Sequence, residues 1–312
     1  MMTKTNKRPR PEKVHVVINP APTSRVPLLA VLNYYFRKAG IYWEVSVTHG
    51  DGDGQAQAEA AIENGADVVA VYGGDGTVKE VASALVGTGV PLLILPGGTG
   101  NLVAVELGIN RQLERACSRV CGSEFHSRAV DVGKMGEHYF LLRIGCGLET
   151  SVVRDATREL KDQFGKWAYV FSALKVLQEL PVADYKIVLD GAETFEAKGL
   201  ACLVANAGKV GLGQMALSPA VNIADGKLDV FFLKKANVPG LIQIASKMMG
   251  LERRDLSKVV PDLDVLKEVN HWQVESVLIE TDPVLEIQVD GDVVAKTPQL
   301  TRVLPGALEV VV

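Results

Sequence analysis

Two glycine loops and a few carboxylates are the residues of this chain whose types and spacing could do chemistry. Tyr72-Gly73-Gly74-Asp75-Gly76-Thr77 follows the apolar run Asp67-Val68-Val69-Ala70-Val71, and Pro96-Gly97-Gly98-Thr99-Gly100-Asn101 follows Pro91-Leu92-Leu93-Ile94-Leu95. Glycine has no Cβ, so backbone N–H groups in such loops can approach an anion closely, and a helix opening behind the loop favours negative charge there. Asp75 adds a carboxylate suited to Mg2+. One such loop also fits an ordinary strand-to-helix turn, and the second loop of the same design raises the odds of a phosphate site. Two further carboxylate turns, Ala224-Asp225-Gly226-Lys227 and Asp290-Gly291-Asp292, read on sequence alone as tight turns between strands.

The elements that must position these residues alternate between strand and helix. In an open parallel sheet, successive strands deliver their carboxyl ends to one edge, so both loops would line one crevice. Val14 to Ile18 runs into Asn19-Pro20 and Trp43 to Val47 into Thr48, adding small polar groups to that edge. Leu28, Leu32, Tyr35, Phe36 and Ala39 form a helical stripe closed by Gly40, and the alanine-rich stretch from Gln55 to Asn64 ends at Gly65. Thr77-Val78-Lys79-Glu80 has capping-box spacing, which predicts a helix start at Thr77. This βαβαβαβα order runs through about residue 107 and predicts an α/β domain on a parallel sheet. The chain contains neither a Walker-type P-loop nor the dinucleotide fingerprint G-x-G-x-x-G.

From about residue 129 the texture changes to alternating strands: Asp184 to Asp190, Trp272 to Glu280 and Val284 to Val289. A helix is expected from Lys166 to Leu180, where Pro181 ends it. A chain of 312 residues with 47% hydrophobic residues suits two domains with packed cores. The net charge of −4 gives a nucleic-acid role no electrostatic support. No apolar run approaches the roughly 18 residues needed to span a bilayer, and the basic, polar stretch Met1 to Lys13 has no apolar leader core, so a cytoplasmic protein is expected. Cys117 and Cys121 fall on one stripe with Leu113, Ala116 and Val120 and read as buried helix residues, and the five histidines lack ligand spacing.

Gly73-Gly74-Asp75-Gly76-Thr77, with Asn19-Pro20 before it and Pro96 to Leu102 after it, resembles the catalytic domain of the diacylglycerol kinase and sphingosine kinase family. Asp131-Val132-Gly133, Gly145-Cys146-Gly147-Leu148-Glu149, Asn206 with Gly211-Leu212-Gly213, Leu217-Ser218-Pro219, Asp225-Gly226-Lys227-Leu228-Asp229 and Val289-Asp290-Gly291-Asp292 follow in that family's order, and the soluble bacterial lipid kinases are the nearest group. The resemblance implies an α/β domain like that of NAD kinases and phosphofructokinases over residues 1–128, which binds nucleotide. It implies a β-sandwich over residues 129–312 for the lipid substrate, with about 304–312 free to return to the first domain.

What the resemblance implies about chemistry is phosphoryl transfer from ATP with Mg2+ to a lipid hydroxyl, in phospholipid metabolism. Asn19, Pro20, Thr48, Gly73, Gly74, Gly76, Thr77, Gly97, Gly98, Thr99 and Asn101 would hold the nucleotide, and Asp75 would serve its Mg2+. Asp225 would bind a structural Mg2+ with main-chain oxygens of Asn222 and Lys227. The general base falls at Asp292, where the family has glutamate. Aspartate reaches roughly 1.5 Å less far, and a misplacement of about 1 Å in such a site costs on the order of a hundredfold. Lys79 also departs from the pattern, which has asparagine there, and reads either as a phosphate contact or, the reading favoured slightly, as a side chain facing solvent. Because closure would carry Asp292 to the phosphates, a ligand-free structure is expected to tolerate a gap between them. Gly240 to Lys258, mixing Leu241, Ile242, Ile244, Met248, Met249 and Leu251 with Lys247, Arg253, Arg254 and Lys258, reads either as a peripheral membrane surface or as a helix packed on the sandwich. A soluble-substrate kinase such as an NAD kinase, and a nucleotide- or lipid-binding regulator with weak catalysis, stay open beside the lipid kinase. Homodimerisation, the lipid acceptor and the nucleotide preference also stay open.

Overall fold

The computed structural model describes residues 5–20, 26–98, 101–109, 112–147, 182–210, 215–216, 218, 220–234 and 269–312. In chain order the first half runs β1 (Thr5–Pro9), β2 (Lys13–Ile18), α1 (Leu28–Ala39), β3 (Tyr42–Val47), α2 (Asp53–Glu63), β4 (Val68–Gly73), α3 (Asp75–Leu85), β5 (Leu92–Pro96), α4 (Leu102–Glu106) and α5 (Leu113–Ser118). The second half is β6 (Glu124–Met135), β7 (His138–Phe140), β8 (Arg143–Cys146), β9 (Ala183–Leu189), β10 (Glu193–Ala205), β11 (Lys209–Val210), β12 (Met215–Ala216), β13 (Leu228–Lys234), β14 (Val269–Val274), β15 (Ser276–Asp282), β16 (Glu286–Val289), β17 (Asp292–Lys296) and β18 (Gln299–Val311). The stretch 166–180, expected to be a helix, and 240–258, read either as a membrane surface or as a helix packed on the sandwich, lie outside the described residues.

Strands β3, β2, β4 and β5 pair in parallel. All six residues of β4 are buried, as befits a strand with helices on both faces. On one face Val78, Val81, Ala82 and Leu85 of α3 and Ala58 and Ala61 of α2 pack on Val69, Val71, Leu92 and Ile94. On the other, Leu32 and Phe36 of α1 and Leu113, Ala116 and Cys117 of α5 pack on Val14, Val16, Val68, Ala70 and Leu93. α1 ends at Gly40 in the left-handed conformation, φ 72°, as its stripe predicts. α5 stops at Ser118, so Cys121 lies beyond the helix and is only half-buried, its thiol hydrogen-bonded to the Cys117 carbonyl.

The second body is antiparallel. β8, β9, β10, β13, β15 and β16 enclose a core of Ile144, Ile187, Val204, Val230, Phe232, Val277 and Ile287. The two bodies share strands. β18 pairs antiparallel with β15 and β6, then its Val310 lies parallel beside Leu92 of β5. The basic N-terminal stretch is also engaged: β1 pairs with β6, Lys7 forms an ion pair with Glu124, and Arg8 donates to Ser127 Oγ and the Gly89 carbonyl.

Candidate functional site

The first glycine loop is where β4 turns into α3. Gly73 ends the strand, Gly74 is the extended N-cap, and the helix begins at Asp75. The capping-box spacing therefore marks the start two residues late. Thr77 lies inside the first turn, 6% exposed, and its Oγ1 accepts from Asn19 Nδ2 at 2.8 Å. Glu80 serves a neighbouring helix, its carboxylate accepting the Gly52 and Gly54 N–H groups at 3.0 and 2.9 Å at the start of α2. Among the described residues no side chain caps α3. Its first-turn N–H groups thus aim out of the helix at the crevice, with the positive end of the helix dipole behind them. Gly76 in that turn is exposed, with nothing near the place a Cβ would occupy.

The second loop clasps the first. The Gly97 and Gly98 N–H groups both donate to the Gly73 carbonyl, at 3.2 and 3.1 Å. Asn101, 1% exposed with φ 47°, accepts from Gly98 N at 2.9 Å and donates to the same Gly73 carbonyl at 2.9 Å. A Cβ on Gly98 would stand 2.7 Å from Gly74 Cα, and one on Gly97 would stand 2.9 Å from the Tyr72 ring. The glycines of this loop are thus demanded by loop-on-loop packing, and Asn101 is the clasp between the loops. Thr99 and Gly100 lie outside the described residues. Thr48 is buried at the neighbouring strand exit, its N–H donating to the Ile18 carbonyl, and Pro20 is exposed beyond Asn19.

Asp75 faces the start of α4. Burial pushes its carboxyl above the usual carboxylate range, opposed by the N–H groups of Leu102, Val103 and Asn101 and by the charge of Arg143. Its Oδ1 is buried and has no hydrogen-bond partner among the described residues. A buried, partnerless carboxylate oxygen beside open N–H groups fits a nucleotide-borne cation.

From the other body comes the β16–β17 hairpin. Asp290 and Gly291, at φ 50° and 105°, make the two-residue turn that Asp-Gly predicts. The Asp290 carboxylate accepts the N–H groups of Leu141, Leu142 and Arg143 at 2.9, 3.1 and 2.8 Å, which pins the hairpin to the start of β8. Asp292, next along, forms an ion pair with Lys79 of α3. Lys79 therefore does not face solvent. Its side chain is 19% exposed, one turn beyond Asp75 on the same helix face, because a carboxylate from the second body sits above it. The candidate base thus rests against the phosphate-loop helix.

Sequence reasoning missed Arg143. Its guanidinium donates to the Lys209 carbonyl at 3.1 Å, and both Asp290 and Asp75 act on its charge. Burial lowers its pKa and the two carboxylates oppose that. The available signal was an arginine within the otherwise apolar run Tyr139-Phe140-Leu141-Leu142-Arg143-Ile144.

The Asp225 loop stands on its own. Asp225 Oδ1 accepts from Lys227 N at 3.1 Å and Asn222 Oδ1 from Ala224 N at 3.2 Å. Buried Asp131 ties the loop to β6, accepting from Gly226 N at 2.6 Å and Gly306 N at 2.7 Å. Burial, then the charges of Asp229 and Asp131, push the Asp225 carboxyl up. Among the described residues no three His, Cys, Asp or Glu side chains converge as a metal cage. A cation at Asp225 would draw its other ligands from main-chain oxygens.

Residues 13–135 match the family model of the diacylglycerol kinase catalytic domain, and residues 143–312 match that of the YegS C-terminal NAD kinase beta sandwich-like domain. A "putative lipid kinase" from Staphylococcus haemolyticus is 30% identical over 207 residues, 65% of this chain and 62% of its own length. A Synechocystis protein named only as uncharacterized is 32% identical over 216 residues, 67% of this chain and 46% of its own. The chain thus spans about half the length of the curated relatives it matches. The crystal structure of a "putative diacylglycerol kinase" from Bacillus anthracis str. Sterne superposes with a TM-score of 0.76 at 26% identity, covering 97% of both chains.

Proposed function

The chain belongs to the family that joins a diacylglycerol kinase catalytic domain to a YegS C-terminal NAD kinase beta sandwich-like domain, and from that premise we propose that it is an ATP-dependent kinase transferring the γ-phosphate to the hydroxyl of diacylglycerol or a related lipid. One observation carries the reading: a helix start bearing Asp75, which among the described residues has no side-chain cap and leaves a buried Asp75 oxygen without a partner, stands on the same helix face to which Lys79 draws Asp292. Phosphoryl transfer needs positioning and charge stabilisation more than covalent chemistry, and this arrangement provides donors, a cation ligand and a base together.

In this reading residues 1–128 hold the nucleotide and 129–312 present the lipid. The first-turn N–H groups of α3, Asn19 and Thr77 meet the phosphates, with Thr48 and Pro20 at neighbouring strand exits. Gly73, Gly97, Gly98 and Asn101 keep the two loops in register. Asp75 holds Mg2+, which when bound neutralises phosphate charge, and Asp225 with Asn222 and Lys227 oxygens holds a second, structural Mg2+. Asp292 takes the proton of the acceptor hydroxyl as its oxygen bonds to the γ-phosphorus and the bond to the ADP oxygen breaks. In this reading the lipid is met at the bilayer surface; among the described residues no helix is long and apolar enough to cross a membrane.

The test is transfer of labelled γ-phosphate from ATP with Mg2+ to a panel of lipids in mixed micelles, run beside NAD and with Asp75→Ala as control. Labelled lipid that disappears in the control supports the reading and identifies the acceptor. Labelled NAD would overturn the lipid assignment, and ATP binding without any transfer would point to a regulator.

A further inference from the structure

Lys79 lies 213 residues from Asp292 in the chain, yet its ammonium meets that carboxylate across the boundary between the two bodies. The pairing is asymmetric. Asp292 is 65% exposed at the start of a hairpin strand, while Lys79 is 19% exposed and stands on a helix whose buried face is anchored by Val78, Val81, Ala82 and Leu85. Lys79 lines a small hollow at this boundary with Ala82, Ser83, Val86, Val132, Tyr139 and Leu141. A largely buried cation on a packed helix therefore faces a solvent-exposed anion on a hairpin. An isolated exposed ion pair contributes little to stability, about 0–1 kcal/mol, so stability is a weak account of a lysine held this way.

We propose that Lys79 is a positioning residue: it holds the Asp292 carboxylate against the helix face that bears Asp75. The inference rests on the kinase reading above and assigns a role within it to a residue outside the nucleotide and metal sets named there. Hairpin and phosphate loop belong to different bodies. Asp290 fixes the hairpin to Leu141, Leu142 and Arg143 of its own body, whereas Lys79 supplies the contact that fixes Asp292 to α3. Without it, Asp292 keeps its chemistry and loses its address, and misplacement of about 1 Å costs on the order of a hundredfold in rate.

The experiment has two arms on the full chain. In the first, kcat and KM for ATP are measured with diacylglycerol in mixed micelles for the wild type, Lys79→Met, Lys79→Arg, Asp292→Asn and the double variant Lys79→Met with Asp292→Asn. Positioning predicts that Lys79→Met lowers kcat by about ten- to a hundredfold while KM for ATP stays within about threefold, that Lys79→Arg restores most of the rate, and that the double variant is no slower than Asp292→Asn alone. Losses that multiply in the double variant, or a Lys79→Met effect confined to KM for ATP, would overturn the inference. In the second arm the wild type is treated with a zero-length carbodiimide cross-linker and digested. An amide joining the Lys79 and Asp292 peptides is expected, and its absence overturns the contact itself. A wild type that forms this cross-link but labels no lipid separates failure of the kinase reading from failure of the pairing.

Discussion

Gly76 and Gly98 sit in loops of like sequence and answer to different constraints. A Cβ on Gly98 would press on Gly74 Cα at 2.7 Å, so Gly98→Ala should force the loops apart, cost about 1–3 kcal/mol of stability, and lower Tm together with ATP affinity. A Cβ at Gly76 meets nothing, so Gly76→Ala should leave Tm unchanged or slightly raised, since alanine suits a helix better than glycine. If phosphates pack on that turn, the same change should weaken ATP binding by about tenfold, roughly 1.4 kcal/mol, in titration calorimetry. An unchanged affinity would take the phosphates away from α3. Asp75→Asn separates activity from stability more sharply. The fold raises the Asp75 carboxyl above its ordinary range, so the folded state holds the proton more tightly than the unfolded chain. Its contribution is then present below the ordinary carboxylate pKa and lost as pH rises through the raised value. Asn keeps an oxygen for the α4 N–H groups and carries no charge. The variant should lose transfer by about two to three orders of magnitude, while its Tm relative to wild type improves between pH 4 and pH 8. At this scale the sequence exposed Asp75 and Asp292 by type and spacing. Lys79 and Asp292 were each legible as departures from a pattern, but that one answers the other was not, because nothing in a chain marks a contact 213 residues away.

The start of α3 shows how a local pattern misplaces a helix boundary. Thr77 and Glu80 have the spacing of a reciprocal cap, yet the helix already begins at Asp75 behind the extended Gly74, so Thr77 binds Asn19 and Glu80 is free to cap α2. Glu80→Gln should therefore act on α2. With one amide oxygen in place of two carboxylate oxygens for the Gly52 and Gly54 N–H groups, it should cost about 0.5–2 kcal/mol in thermal or urea unfolding. kcat should stay near wild type, in contrast to the neighbouring Lys79. A kcat loss as large as that of Lys79→Met would mean that α3 transmits any disturbance to the site, and the specific role given to Lys79 would fall. Parallel strands and their order of exit were readable from apolar runs and small polar ends. The clasp of the second loop on the first was not, because Gly97 and Gly98 look alike whether they receive a phosphate or a neighbouring backbone.

Across the whole molecule, the long strands β6 and β18 decide how the bodies behave together. Along β6, Phe125 packs in the core beneath α1 and α5, Val130 and Val132 pack beneath α2 and α3, and Met135 packs in the sandwich. β18 repeats this, with Val303 in the sandwich and Leu308, Val310 and Val311 beneath the helices. Strands change texture gradually along a sequence, so a composition boundary near residue 129 reads as a division between domains where hydrogen bonding is continuous. Asp131 reinforces the join by accepting from both Gly226 and Gly306, which fixes the Asp225 loop to the bend between the two halves of β18. Two bodies joined by shared strands lose their independent cores together, so scanning calorimetry should show one transition, with calorimetric and van't Hoff enthalpies equal. Removing residues 307–312 should then do more than trim a tail. It takes three fully buried side chains from under the parallel sheet, each contributing about 1.5–3 kcal/mol, and strips β5 and β6 of a hydrogen-bonded partner. The truncated chain should fail to give a cooperative transition at all. Two resolved transitions in the intact chain, or a truncated chain that keeps the upper one, would show that the sandwich folds alone and that β18 only borrows its place beside β5.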